Sequence, residues 1–152
     1  MEDKQIAFEQ YKLYVDLVDR VSERRHKTNS YFLSLNVFLI SLLGVLSATG
    51  LVDLQLGWTF FVAAAGITLS YSWYRLVRSY KDLNTGKFAL IHKIEEQLPL
   101  QLFKDEWEEL GRGKDSKKYL PFTKIEMVVP WVFALLYGVL FLWAVLTVLC
   151  AK

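Results

Sequence analysis

The sequence predicts an all-α membrane protein. It reads as three transmembrane spans, an N-terminal amphipathic helix, and a small helical cytosolic region between spans 2 and 3. Three observations predict this. Thr28–Val52, Leu54–Tyr74 and Met127–Ala151 are uncharged runs of 25, 21 and 25 residues. All 18 basic and 16 acidic residues lie outside them. All the basic residues but Lys152 also fall on one side of the runs. A helix needs roughly 20 apolar residues to cross a bilayer core about 30 Å thick, and each run is long enough. A soluble chain of 152 residues, 53% hydrophobic, could not bury three such helices on all sides.

The distribution of Lys and Arg sets the orientation. Residues 1–30 hold Lys4, Lys12, Arg20, Arg24, Arg25 and Lys27, and residues 75–126 hold eleven more, while the connection near Thr49–Gly57 holds none. Lys/Arg excess marks the cytoplasmic side. The expected layout is a cytosolic helix over 1–30, a transmembrane hairpin over 31–74, a cytosolic helical region over 75–126, and a third span with a short outer tail over 127–152. The N-terminus is then cytoplasmic and Lys152 lies outside. Met1–Gln10 lacks the basic-then-apolar pattern of a cleaved signal, so the first span is expected to remain as an anchor.

Each element has its own signature. Over Asp3–His26, Tyr11, Tyr14, Val18 and Val21 recur at helical spacing, with Phe8 and Val15 widening the face. Acids and bases are balanced on its polar side, which favours packing on another helix over lying on a lipid surface. The first span carries Asn36, whose amide needs a partner within a membrane, either a pore or helix contact or a nearby backbone or Ser group such as Ser34 or Ser41. The second span carries Ala63-Ala64-Ala65-Gly66, small residues that let helices approach closely. Thr68, Ser70 and Ser72 follow as candidate interhelical hydroxyls, with bonding back to their own helix as the alternative. Asn84-Thr85-Gly86 predicts a turn or kink after Leu83. Phe88, Ile91, Ile94 and Leu98 predict a helix that Pro99 ends. A short helix through Leu102, Phe103 and Trp107 and a loop over Gly111–Ser116 follow. Pro130 stands near the start of the third span, where a missing amide proton costs least.

Charge and motif exclude several classes. A net charge of +2 gives no footprint for nucleic acid. Cys150 is the single cysteine, so no disulfide forms within the chain. His26 and His92 have no Cys or His at ligand spacing. Gly111-Arg112-Gly113-Lys114 lacks the spacing of a phosphate loop. Glu95-Glu96 and Glu108-Glu109 are adjacent on helices and point apart. Arg20 and His26 match the spacing of the HEPN ribonuclease motif, but Val21 occupies a position usually polar there. No catalytic residue, cofactor or metal is therefore assigned, and the chain is not expected to be an enzyme.

From Trp73 onward the residues resemble a known family. Trp73, Arg75, Ser79-Tyr80, Leu83-Asn84, Lys87-Phe88, Ile91, Glu95 or Glu96, Leu98-Pro99, Phe103, Glu106-Trp107, Ile125-Glu126 and Pro130 occur in the order and spacing of the RipA family of small octameric bacterial membrane proteins. Gly86 stands where an alanine is expected. The resemblance implies a homo-oligomer, eightfold, in the bacterial inner membrane. Together with the small-residue span and the polar groups at Asn36, Thr68 and Ser70, it leads to the expectation of an assembly that forms or gates a pore in stress or antiphage defence. The alternative is a non-conducting scaffold that recruits a cytosolic protein partner. The expected partners are membrane lipid and further copies of the chain. Asn36, Ala63, Gly66, Thr68 and Ser70 are the candidate oligomer, pore or packing residues. Arg75, Arg78, Asn84, Glu95, Glu96, Trp107 and Glu126 are the candidate structural or vestibule residues. Among these, Arg75 and Arg78 are expected to meet lipid phosphates or to pair with Glu95, Glu96 or Glu126.

Overall fold

A computed structural model describes residues 2–48 and 52–150, with side chains from 5 onward except at 46, 47 and 52–55. It is all-helical among these residues. The helices are α1 (Glu2–Ala48), α2 (Val52–Glu95), α3 (Leu102–Glu109) and α4 (Phe122–Cys150), with a 3-10 turn at Gly111–Gly113. The expected turn at Thr49-Gly50 and the outer position of Lys152 lie outside the described residues.

The chain divides into two units. One, the charged unit, comprises Met1–Lys27 and Arg78–Ile125; the other, the apolar unit, comprises Thr28–Val77 and Glu126–Lys152. α1 and α2 contribute to both. The predicted N-terminal helix and first span are thus one element of 47 residues. In the charged unit α1 buries Val18 and part-buries Tyr11, Tyr14, Val15 and Val21. Phe8 stays 44% exposed and does not widen that face.

Two expectations are corrected. The first is the number of spans. Among the described residues, two helices and not three are long and apolar enough to cross a membrane: α1, over Gln5–Val45, and α4. The uncharged part of α2, which carries Gly57, Thr59, Gly66, Thr68, Ser70 and Ser72, is not one of them. The second is the break at Asn84-Thr85-Gly86. α2 runs through it without interruption. Glycine weakens a helix by only about 1 kcal/mol relative to alanine, while Val77 and Ile91 on either side are fully buried and fix the path. Thr85 bonds back to the Lys81 carbonyl at 3.0 Å, which leaves its hydroxyl satisfied within the helix.

The apolar unit packs with a seven-residue repeat. On α2 the buried positions Thr59, Ala63, Gly66, Ser70, Trp73 and Val77 alternate in steps of four and three, with Val62 buried beside Ala63. On α4 they are Pro130, Tyr137 and Ala144, each seven apart. Phe32, Trp73 and Val77 form the centre, flanked by Leu69, Met127, Val129 and Phe133. Phe32 stacks on Trp73 with ring centroids 5.9 Å apart. Pro130 lies inside α4, two turns past its start at Phe122 and not at the helix start as expected, because the helix begins before the uncharged run does.

Candidate functional site

Three helices meet at Asn36. Its side chain is fully buried, and its Nδ2 donates to the Phe32 carbonyl of its own helix at 2.8 Å. Ser70 on α2 reaches its Oδ1 at 3.5 Å. Tyr137 on α4 donates to its backbone carbonyl at 3.1 Å. The approach that permits this is set by Gly66. A Cβ at Gly66 would stand 2.5 Å from the Tyr137 ring, so glycine is what lets the tyrosine lie flat on α2. Ala63 is fully buried beside it in sequence. Asn36, Ala63, Gly66 and Ser70 therefore pack within one copy of the chain. Ser34 and Ser41, the expected neighbours, bond to the Ser30 and Val37 carbonyls instead. Thr68 is exposed and bonds back to the Ala64 carbonyl at 2.9 Å.

A second polar layer lies two helical turns away, about 10 Å along α1. Asn29 accepts from the Trp73 indole N–H at 2.8 Å and donates to Glu126 Oε1 at 2.9 Å. It ties α1, α2 and α4 as Asn36 does. Asn29 and Tyr137 were not among the residues singled out from the sequence. Asn29 was legible: it is seven residues before Asn36, on the same face of α1.

In the charged unit the junction is Glu95. It is fully buried at the C-terminus of α2. Its Oε1 accepts from the Tyr11 hydroxyl of α1 at 3.0 Å and from the Phe103 amide at 3.0 Å. Its Oε2 accepts from the Lys104 amide at 3.2 Å. Those two amides belong to the first turn of α3, whose own N-cap, Gln101, makes no side-chain cap bond. Glu95 thus caps α3 from eight residues away, where an acidic group also suits the positive end of the helix dipole. Burial pushes the Tyr11 hydroxyl up from 10.0 to about 12, and the bond to Glu95 and its charge add to the shift. Phe88 meets Phe103 edge-on at 5.8 Å, and Lys87 sits over the Tyr14 ring at 4.7 Å.

The remaining candidates are scattered around these junctions. Glu126 joins Asn29 in the apolar unit. Arg75, exposed, donates to the Tyr71 hydroxyl at 3.2 Å, and Arg78 and Glu96 are exposed. Asn84 is half-buried, with its Oδ1 buried and unbonded, as is His92 Nε2. Each such atom costs about 1–3 kcal/mol. Trp107 covers Gly113: a Cβ there would come 3.0 Å from the indole and 3.1 Å from Pro121. Gly111, Arg112 and Gly113 all take positive φ, 65°, 53° and 65°. Glycine is the residue suited to that conformation at both ends of the turn. Arg112 is held there by Glu108 at 2.7 Å. Among the described residues, no three His, Cys, Asp or Glu side chains gather as a metal site would require.

These junctions are structural ties between helices, two of them in an apolar unit. A family model described as the octameric membrane protein family matches residues 8–146, a span that includes Tyr11, Asn29, Asn36, Glu95, Glu126 and Tyr137. No curated protein and no solved structure in the comparisons matches the chain. With nearly its whole length covered by that match, the chain belongs to the octameric membrane protein family.

Proposed function

We propose that eight copies of this chain assemble in the bacterial inner membrane and form or gate a passage across it. The apolar unit, in which the uncharged part of α2 packs with α1 and α4, lies in the bilayer. The charged unit faces the cytoplasm, in line with the Lys/Arg asymmetry. The RipA likeness is part of this reading.

One observation carries it: the contrast between the outer faces of α2 and α4. α4 presents Leu135, Val139, Leu142, Leu146 and Leu149 outward, a surface suited to lipid tails. The outward surface of α2 is mixed, with Ala64, Thr68, Ser72 and Arg75 among the exposed Phe61, Ile67 and Tyr71, the last bonded to Arg75. Ala64, Thr68 and Ser72 follow at intervals of four, on one face. A helix with such a face need not be fully apolar if neighbouring copies shield it from lipid. Small residues suit close helix contact, and hydroxyls and a basic ring suit a channel wall or mouth. Asn36 and Ser70 are excluded from that wall, because their bonds are made inside the protomer.

The test is conductance of the purified protein in planar bilayers, carried out on a Cys150→Ser, Ser72→Cys variant. A water-borne cationic thiol reagent should reduce a steady current if Ser72 faces the passage. An octamer sealed at all voltages would overturn the passage while leaving the assembly intact.

A further inference from the structure

The charged unit carries an apolar surface that its own chain leaves uncovered. Ile6, Leu13 and Leu17 lie on one face of α1, at spacings of seven and four. Leu83 and Leu90 lie on one face of α2, seven apart. All five are exposed, Leu13 to 61%. In lipid, exposed leucine carries no message. In a unit that holds nearly all the charge of the chain it does, because large aliphatic side chains gathered at helical spacing form a patch, unlike the scattered ones of an ordinary surface.

The two stripes share a side. α1 and α2 meet antiparallel here, Tyr11 opposite Glu95 and Tyr14 opposite Lys87. From Tyr14 to Leu13 is a rotation of about 100° back around α1, and from the buried Ile91 to Leu90 is about 100° back around α2. In an antiparallel pair, equal rotations in the same sense lead to the same face. Phe88, which meets α3 through Phe103, is displaced about 60° the other way. The leucine stripes and α3 therefore lie on opposite faces of the α1–α2 pair. The α3 face has exposed apolar groups too, Leu100 at 66% and Leu102 at 63%.

Two opposite apolar faces are what a closed ring needs. Cyclic assembly beyond a dimer uses a head-to-tail interface, in which one surface of each copy meets a different surface of the next. Charge supports the pairing. α3 exposes Asp105, Glu106 and Glu109, while Arg20, Arg24 and Lys93 border the leucine face together with Glu9 and Asp16. A ring axis along the helices also preserves height. Leu102 is next to the α3 amides that Glu95 holds at the level of Tyr11, so it meets the Ile6–Leu13 part of the stripe.

We propose that the Ile6–Leu13–Leu17 and Leu83–Leu90 face of each copy docks onto the Leu100–Leu102 edge and α3 of its neighbour. This rests on the octameric reading above and assigns the surfaces that build it.

The experiment uses full-length protein in native membranes, on a Cys150→Ser background, with Leu13→Cys and Leu102→Cys and a flexible bismaleimide crosslinker. The double variant should give a ladder up to eight copies. Each single variant should remain uncrosslinked, and the two singles coexpressed should stop at dimers. A Leu13→Cys variant that joins to itself overturns the head-to-tail pairing, as does crosslinking of either cysteine to a different protein. Native mass in detergent separates the two levels of the argument. A wild type of one copy sinks the octamer itself. A double variant of eight copies with no ladder sinks only the docking surface. As a second check, Leu13→Glu with Leu90→Glu should lower the octamer fraction at least tenfold with helix content unchanged; an undiminished octamer overturns the proposal.

Discussion

Each unit has a fully buried polar side chain where three helical segments meet, Glu95 in one and Asn36 in the other, but the two hold their neighbours differently. Glu95 makes every tie with its own side chain: three donors from α1 and α3 converge on its two oxygens. At Asn36 the firmer bond between helices does not depend on the side-chain amide. The Tyr137 hydroxyl goes to the backbone carbonyl, and the amide nitrogen is turned back on its own helix. The bond from Ser70, at 3.5 Å, is long. Equal burial therefore does not mean equal leverage. What matters is how many donors are stranded when the side chain is removed, and whether the surroundings hold water to rescue them.

The largest effect is expected at Glu95. Glu95→Ala leaves the Tyr11 hydroxyl and two α3 amides without their acceptor, at about 1–3 kcal/mol for each one that water cannot reach. The expected total is about 3–5 kcal/mol, concentrated in the charged unit. Hydrogen exchange should show α3 losing protection while α4 keeps its own. Uniform loss across both units would contradict the division of labour drawn here. Glu95→Gln should fall between, since an amide keeps one acceptor but turns a donor toward another donor.

Gly66 comes next, and it probes packing within the apolar unit. Gly66→Ala puts a methyl 2.5 Å from the Tyr137 ring, and such overpacking costs about 1–3 kcal/mol. Thermal unfolding in detergent should register the loss, and adding Tyr137→Leu should restore part of it. Gly86 is the control. Its Cβ would meet nothing within 4 Å, so Gly86→Ala should stabilise the protomer by about 0.5–1 kcal/mol. If both glycines respond alike, the close approach of α2 and α4 is not what Gly66 is there for.

Asn36→Leu should be milder than either. Hydrogen bonds between membrane helices average about 0.6 kcal/mol and reach about 1.7, and the Tyr137 bond survives the change. A loss above about 3 kcal/mol would mean that the Ser70 contact carries far more than its length suggests.

The legibility of this molecule follows the range of its interactions. Helices, the uncharged runs and the small-residue stripe are local patterns, and all are present in the structure. Gly66 and Ala63 were readable as a packing surface, but their partner was not. Tyr137 is 71 residues from Gly66, and no local pattern pairs them. Asn84-Thr85-Gly86 misled for the opposite reason. Its local preference for a turn is real but small, and burial of Val77 and Ile91 outweighs it. The second uncharged run, with Gly66, Thr68, Ser70 and Ser72 among its aliphatic residues, is not among the helices apolar enough to cross a membrane. Glu95 stood in the sequence as one of two adjacent acids on a helix. That it is buried while Glu96 is exposed depends on where α3 folds back.

Tyr11 gives the smallest effect and the sharpest sign. Its hydroxyl is held protonated to about pH 12, against 10.0 ordinarily, by burial first and then by Glu95. A folded-state value above the unfolded one means that the folded form holds the proton more tightly. The stabilisation is therefore complete below about pH 10 and disappears as pH rises through 12. Tyr11→Phe removes the bond and should cost about 1 kcal/mol near neutral pH. The difference in stability between wild type and Tyr11→Phe should stay constant to about pH 10, then shrink and close before pH 12 is reached. The ultraviolet difference spectrum should show one late-ionising tyrosine in wild type that is absent from the variant. A difference that persists beyond pH 12 would assign the loss to packing of the ring, and the Tyr11–Glu95 tie would then contribute orientation without much stability.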